Sequence, residues 1–451
     1  MAREAYIEEP PRRVPAVHEC DICVIGGSCT GVFAAVRAAR LGARVAIVEK
    51  QNCFGGMATA GLVNVWHSLR DTEEELPIIG GLTAEVIDRL DTRDAMIRSE
   101  RARVSFRLNT EELKIELDEL AIEHEITPFL HTLYCAPVTD GDRLDAVIVE
   151  NKSGRGAIRA AQFIDATGDA DLALDLDLPA HEPEALQPPT TCAKLYGLPS
   201  VDDFDWVEAI REHGEEFGLE PDWGWGGPIP GMPELSFRAD THVFGLDTTS
   251  AEELTRAEME GRRKIRAMLD VMRTYGPEGA DVHLADLAAT IGIRETRRIC
   301  ARYRLTGDDV LSGRRFDDAI ANGSYPVDTH HADGAGITFR YLDGTQRTVP
   351  ERGKEAIMGR WRDPIPEDPT FYQVPFESLL QERVPNLMLA GRMLDADKAA
   401  FSAVRVMVNT NQTGEAAGVA AWLALDGGVP VQQVDATRLR ETLAAGGSVI
   451  I

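Results

Sequence analysis

Three groups of residues in this chain have the types and spacing of chemistry. Residues 20–31, CDICVIGGSCTG, set Cys20 and Cys23 in a C-x-x-C spacing over a glycine-rich turn that carries a third thiol, Cys29. Thiols so spaced bind metal or exchange disulfides when they share a face. Three apart on a regular strand they point to opposite sides, so packing is expected of them instead. The second group is IGIRETRRIC, with Arg294, Arg297 and Arg298. A guanidinium in a cleft holds a carboxylate or phosphate through two parallel hydrogen bonds. The structural alternative is an ion-pair network with Glu295, Asp308 and Asp309. The third group is His330-His331 in YPVDTHHADG. A neutral imidazole is a general base near pH 7. Neighbours on an extended segment point to opposite sides and no other ligand cluster accompanies them, so a base is expected and no metal. Tyr372, in YQVPF, and His67, in NVWHSL, are further acid–base candidates.

The elements that must position these groups begin at the glycines. DICVIGG is a short apolar run, TGVFAAVRAARLG has helical spacing with Gly42 as its stop, and ARVAIVEK is a second apolar run ending in Glu49. Strand, glycine turn, helix, strand and acid make the βαβ order of a dinucleotide site. Gly26, Gly27, Thr30 and Gly31 let backbone approach a pyrophosphate, and the helix N-terminus offers it free N–H groups. Glu49, eighteen residues after Gly31, is placed to accept from ribose hydroxyls, with Lys50 beside it. Ser28 stands where G-x-G-x-x-G has its middle glycine; its hydroxyl can donate to a phosphate oxygen. The bland alternative is a glycine turn in an unrelated α/β sheet.

QNCFGGMATAGLVN follows directly, with Gly55, Gly56, Met57 and Ala58. With the unit before it, this stretch resembles the FAD-dependent oxidoreductases of the glutathione-reductase-like fold. The resemblance is nearest to the branch of fumarate reductase and succinate dehydrogenase flavoproteins, and within it to loosely characterised bacterial FAD-dependent oxidoreductases. It implies non-covalent FAD, with the second glycine pair passing close to the flavin; Cys53 and His67 are the candidates for a covalent link. NTEELKIELDELAIEHEI reads as a helix opened by Asn109 or Thr110, and the next forty residues as a meander with a hairpin at NKSG. The meander leads to Ala166-Thr167-Gly168-Asp169, which is similar to the second FAD motif of the fold; Cys135, on the meander, joins the implied contacts. NLMLAGR is a strand ending at Gly391-Arg392, and TGEAAGVAAWLAL a small-residue helix beginning near Gly414, with Thr413, Glu415 and Ala416. The resemblance puts the ribityl-phosphate at that strand end and the flavin's pyrimidine edge at that helix start, where the positive dipole end favours reduced flavin. SAVRVM, with Ser402 and Arg405, resembles the family's S-x-R-V-M; Arg405 faces substrate or flavin, or forms an ion pair.

The chain has 451 residues, with 47 Lys+Arg against 74 Asp+Glu and a net charge of −27. That excess excludes a nucleic-acid surface but leaves room for an anionic small ligand at a local Arg cluster. No apolar run is long enough to span a membrane, and the N-terminus has no apolar secretory segment. Seven cysteines, an odd number, suit a reducing cytoplasm. The expected fold class is α/β. A Rossmann-like FAD-binding domain, with a central parallel sheet and a β-meander, is split over 18–180 and 375–428. An α+β substrate or cap domain, 181–374, is inserted into it, with an N-terminal arm, 1–17, and a C-terminal tail, 429–451. Within the insert, SAEELTRAEMEGRRKIRAMLDVMRTYG is one helix opened by a Ser250/Glu253 capping box, and PDWGWGGPIPGMPE is a loop or lid. The expected activity is hydride transfer between a small polar or anionic substrate and FAD, of dehydrogenase or oxidase type. No second glycine-rich βαβ unit offers an NAD(P)H site, so the acceptor is open among oxygen, a quinone and a carrier protein. Homo-oligomerisation is open as well. The alternatives are an FAD-dependent monooxygenase, a flavin-binding maturation factor without turnover, and an NAD-dependent dehydrogenase.

Overall fold

The computed structural model describes residues 9–99, 104–181, 185–198, 204–220, 222, 224–351 and 354–451. The β-branched run after the arm makes β1 (Ala16–Ile25), followed by α1 (Cys29–Arg40) and β2 (Val45–Val48). Gly42, at φ +96°, ends α1 in the left-handed conformation that glycine adopts without a steric penalty. β1 and β2 pair in parallel, Ile22 opposite Val45 and Ile25 opposite Val48. Next come α2 (Gly81–Asp91) and α3 (Thr110–Glu123); Asn109 caps α3 by accepting from the Glu111 N–H. β3 (Thr127–Phe129) precedes the meander of β4 (Leu133–Asp140), β5 (Arg143–Asn151) and β6 (Gly154–Asp165). The meander has one more hairpin than NKSG signalled, turning at Gly141 (φ +65°).

The described residues between 181 and 374 include two four-stranded antiparallel sheets. The first takes β7 (Thr190–Tyr196), β8 (Trp225–Ile229), β9 (Met232–His242) and β10 (His283–Leu287), in the order β8-β9-β7-β10. The helix α4 (Ala251–Tyr275) shares its buried cluster, with Ile265, Met268 and Met272 against Ala193 and Leu195. The second sheet is β11 (Val327–His330), β12 (Ile337–Arg340), β13 (Thr345–Val349) and β14 (Ile357–Arg360), in sequence order. The chain then returns through β15 (Leu387–Leu389), α5 (Lys398–Val404), α6 (Met407–Gly427) and α7 (Ala436–Ala445). The main sheet runs β3-β2-β1-β6-β5-β4, and β15 also pairs with β6 in parallel. Parallel strands thus form one part and the meander the other, the α/β arrangement expected.

Four local expectations are corrected. The N–H groups of Asp21 and Ile22 both donate to the Arg44 carbonyl, at 2.9 and 3.2 Å. This bulge breaks the alternation of β1, so Cys20 and Cys23 pack in the same buried cluster and not on opposite faces. The neighbouring Cys20 thiol and burial push the Cys23 thiol well up, and all seven cysteines are free. Among the described residues no cluster of His, Cys, Asp and Glu could hold a metal. The Gly/Pro/Trp stretch is not a loop: Trp225–Ile229 and Met232–His242 form a hairpin turning at Gly231 (φ +73°). A Cβ on Gly226 would sit 2.3 Å from the Phe237 carbonyl oxygen of the partner strand, so glycine here serves close approach. α6 begins at Met407 and not near Gly414; VNTNQT is a poor helix former, but tertiary burial of all six residues overrides propensity. At α4 only half the capping box forms. Ser250 accepts from the Glu253 N–H at 3.5 Å, while the Glu253 carboxylate turns to the Asp247 N–H at 2.5 Å.

Several contacts join the last helices to this frame. A Cβ on Gly414 would lie 2.1 Å from the Thr30 carbonyl oxygen and one on Gly418 2.2 Å from that of Ala34, so α6 and α1 touch backbone to backbone. The Arg37 guanidinium donates to the carbonyls of Thr442, Leu443 and Gly446, capping the end of α7. The last residues stay engaged: Gly447 accepts from the Gly81 N–H at 2.8 Å and Ile451 from the Gln373 amide at 3.0 Å. Among the described residues no helix is long and apolar enough to cross a membrane.

Candidate active site

The glycine turn closes on the end of β6. A Cβ on Gly26 (φ +104°) would lie 2.3 Å from the Ala166 carbonyl oxygen, and one on Gly31 only 1.9 Å from that of Gly26. Neither position tolerates a side chain. Ser28 is the N-cap of α1 and its hydroxyl makes no capping bond, which leaves first-turn N–H groups for an anion. The second glycine pair packs on the first. Gly55 N–H donates to the Gly27 carbonyl at 2.8 Å, and a Cβ on Gly56 would meet that of Ser28 at 2.8 Å. Met57 is half-buried beside them and Ala58 is buried. Glu49 accepts from the Gly27 N–H at 2.7 Å and the Gln51 N–H at 2.8 Å, so it fixes the turn and keeps lone pairs for a ribose. Lys50 is exposed.

Thr167, Gly168 and Asp169 meet the end of β15. Arg392 Nη2 lies 3.2 Å from Asp169 Oδ1, which also accepts from the Thr296 hydroxyl at 2.9 Å. Arg392 Nη1 is buried with no partner. Asp165 holds this turn: it accepts from the Thr167 N–H and hydroxyl and from the Ala173 N–H, while burial pushes its carboxyl up to about 6. Gly391 (φ +92°) donates to the Thr413 hydroxyl at 3.0 Å. The turn, the ATGD segment and the Gly391-Arg392 strand end, predicted separately, are thus brought together with Thr30, Thr413 and Gly414. Cys135 stays on β4, its thiol turned to the Leu133 carbonyl. Glu415 meets Arg37 (3.7 Å), the Leu82 N–H (3.2 Å) and the Ser448 hydroxyl (3.3 Å), and Ala416 is in the core.

A second constellation gathers near the start of α6. His330 is buried, its Nε2 3.5 Å from Asp328 Oδ1. Its ring centroid lies 4.8 Å from that of His242, whose Nδ1 is 2.9 Å from both Asp222 oxygens. Asp328 Oδ2 accepts from the Tyr325 hydroxyl at 2.6 Å and lies 3.4 Å from Arg405 Nη2. The His67 ring lies against Tyr325, tilted by 32° with centroids 4.0 Å apart. Arg294, half-buried, donates to the Thr190 hydroxyl at 2.9 Å and to the Pro188 carbonyl. His242 Nε2, Asp328 Oδ1 and Arg405 Nε are buried without hydrogen-bond partners.

The electrostatics follow from that crowding. Burial, the cationic Arg294, the His242 ring that a second proton would repel, and the cationic Arg405 together hold His330 well below the usual imidazole value. Burial also lowers His242, against the pull of Asp222. Arg294 is pulled down to about 10 by burial and by Arg405. Burial and Asp328 push Tyr325 well up. At neutral pH both imidazoles are uncharged and the guanidiniums are cationic, with Asp222 and Asp328 set against His242 and Arg405.

The other predicted residues are placed elsewhere. His331 bonds Thr338 at 3.0 Å on the insert's second sheet, Arg297 donates to the Thr249 carbonyl at 3.0 Å, and Arg298 is buried against Glu295. Tyr372 is buried, bonding the Ala403 carbonyl and the Asn409 amide, where it braces the α5–α6 joint. His242, Asp222, Tyr325 and Asp328 were not foreseen. One signal in the sequence could have found His242 and Asp328: the tripeptide Asp-Thr-His occurs at 240–242 and again at 328–330.

A glycine turn against a helix N-terminus and an acid at the end of β2 are the parts of a dinucleotide site in an α/β fold. The sequence model of the FAD dependent oxidoreductases matches residues 21–443, and the chain belongs to that family. It is an FAD-dependent oxidoreductase, and the cradle fits the cofactor: a turn that excludes Cβ atoms, an uncapped helix start and the orphaned Arg392 nitrogen. No curated protein matches the sequence. Among solved structures, a geranylgeranyl bacteriochlorophyll reductase-like protein from Thermoplasma acidophilum is similar at 11% identity and TM-score 0.45, over 95% of this chain and 83% of that one. The flavin-dependent brominase Bmp2 is similar at 10% identity and TM-score 0.43, over 95% and 82%. The p-nitrophenol 4-monooxygenase PnpA from Pseudomonas putida DLL-E4 is similar at 13% identity and TM-score 0.39, over 64% and 70%.

Proposed function

We propose that the protein moves a hydride between a small polar or anionic substrate and FAD, as a dehydrogenase or oxidase. The supporting observation is the cleft of two guanidiniums and two uncharged imidazoles, His330 and His242, beside the start of α6. Bound FAD supplies a two-electron hydride acceptor. Gly26–Gly31 and the start of α1 would hold its pyrophosphate, and Glu49 its ribose. The first turn of α6, which no side chain caps, would favour negative charge on a group bound beside it. Arg294 and Arg405 bind a substrate carboxylate. The uncharged His330 ring takes the substrate's hydroxyl or amine proton. Asp222 fixes the tautomer and angle of His242. In this reading residues 18–180 and 375–428 carry the cofactor and 181–374 the substrate.

The test is anaerobic bleaching of the protein-bound flavin by a panel of alcohols, amines and hydroxy or amino acids. A carboxylate-bearing member should bleach it, and Arg294→Ala should raise the concentration needed at least tenfold without lowering flavin content. Failure of the whole panel, or an Arg294→Ala response equal to wild type, overturns the reading.

A further inference from the structure

A second set of reactive side chains lies where the insert returns to the main sheet, and it uses no residue of the cradle or of the His330 cleft. Ala180-His181 pairs with Arg298-Ile299 as a short antiparallel ladder, which sets Cys300 next to the imidazole. Cys300 Sγ lies 3.8 Å from His181 Nδ1, and His181 Nε2 lies 2.7 Å from Asp395 Oδ1. Backbone contacts hold all three. The Cys300 N–H donates to the Pro179 carbonyl at 2.8 Å, the Ile299 N–H to that of Met393 at 3.0 Å, and the Ala301 N–H to Asp395 Oδ2 at 2.8 Å. Asp395 is buried, so its short contact fixes the proton on His181 Nε2 and leaves the Nδ1 lone pair facing sulfur. A nucleophile, a base and a group that orients the base, in that order, are the parts of an activated nucleophile.

We propose that Cys300, His181 and Asp395 form a base-activated thiol whose substrate is hydrogen peroxide, which oxidises Cys300 to a sulfenic acid. The sulfur attacks one peroxide oxygen as the thiol proton passes to His181 Nδ1; the S–O bond forms and the O–O bond breaks. The departing hydroxide takes that proton and leaves as water. Sulfur loses two electrons and the peroxide gains them, so thiol plus peroxide gives sulfenic acid plus water. Burial and the Asp395 carboxylate raise the thiol's pKa, with Arg304 opposing. The resting sulfur is therefore protonated, and the step depends on the imidazole. Cys300 is half-buried and open to a molecule as small as peroxide, whereas Cys20, Cys23, Cys29, Cys53 and Cys192 are buried.

Cys135 is an internal control, half-buried like Cys300 but with its thiol on the Leu133 carbonyl. Holoenzyme without substrate would be exposed to hydrogen peroxide, trapped with dimedone, and both cysteines followed by peptide mass spectrometry. Because a positioned general base contributes about 10²–10⁴-fold, Cys300 should be trapped at least tenfold faster than Cys135. His181→Gln and His181→Ala should each bring Cys300 down to the Cys135 rate, with the Cys135 rate and the flavin spectrum unchanged. Equal trapping of the two cysteines in wild type, or a Cys300 rate untouched in both variants, overturns the proposal.

Discussion

Replacing Glu415 by glutamine tests how α6 is held. The carboxyl is buried between Arg37, the Leu82 N–H and the Ser448 hydroxyl, and burial raises its pKa from the ordinary 4.5 to about 7 despite the guanidinium. Because the folded value is the higher one, the folded state binds the extra proton between those two values. The stabilisation is complete below pH 4.5 and is lost as pH rises through 7. The rise is worth roughly 3 kcal/mol through proton linkage. Glutamine keeps the acceptor for Leu82 and cannot ionise, while Arg37 retains its bonds to the α7 carbonyls. Glu415→Gln should therefore gain roughly 3 kcal/mol on wild type between pH 4.5 and pH 8. The assay is denaturant unfolding of both proteins at the two pH values with the same excess of FAD, since the cofactor shifts apparent stability. Asp165, pushed up to about 6, titrates in the same sense in both proteins and cancels. Parallel stability curves, with no pH-dependent gap, would refute the reasoning.

Two other consequences are simpler. Gly31→Ala places a Cβ 1.9 Å from the Gly26 carbonyl oxygen, so turn and helix must part by about 1 Å; overpacking of this kind costs about 1–3 kcal/mol, and purified variant should carry little flavin by its visible absorbance. Full flavin content would show that the turn does not shape the site. His330 is held well below the ordinary imidazole value, so its base form persists as the medium is acidified. The flavin reduction rate should stay level from pH 8 down past 6.5 and fall only well below; an inflection near 6.5 would contradict that assignment.

The cradle was legible because its information is local. Gly26, Gly31 and Glu49 lie in one βαβ unit, and each glycine answers to a contact that a Cβ would block. The ATGD and Gly391-Arg392 segments were legible through resemblance, and they do meet, through Asp169 and Arg392. The cleft was half legible. Arg294 and His330 are conspicuous by type, but the His242 ring reaches His330 from a different sheet, a contact that no local pattern encodes. The C-x-x-C spacing misled because a two-residue bulge at Asp21-Ile22 undid the alternation. Gly226 and Gly227 disguised a strand as a loop, and buried polar residues disguised the first turns of α6. Docking of the C-terminal residues onto Arg37 and Gly81 left no trace in composition.

The central claim is that the His330 cleft acts on a substrate beside the flavin. The most direct measurement is the rate constant of anaerobic flavin reduction at saturating substrate, in wild type and in His330→Gln with equal flavin content. Loss of a positioned general base predicts a fall of about 10²–10⁴-fold in that rate constant. An unchanged rate constant in flavin-replete His330→Gln would contradict the account.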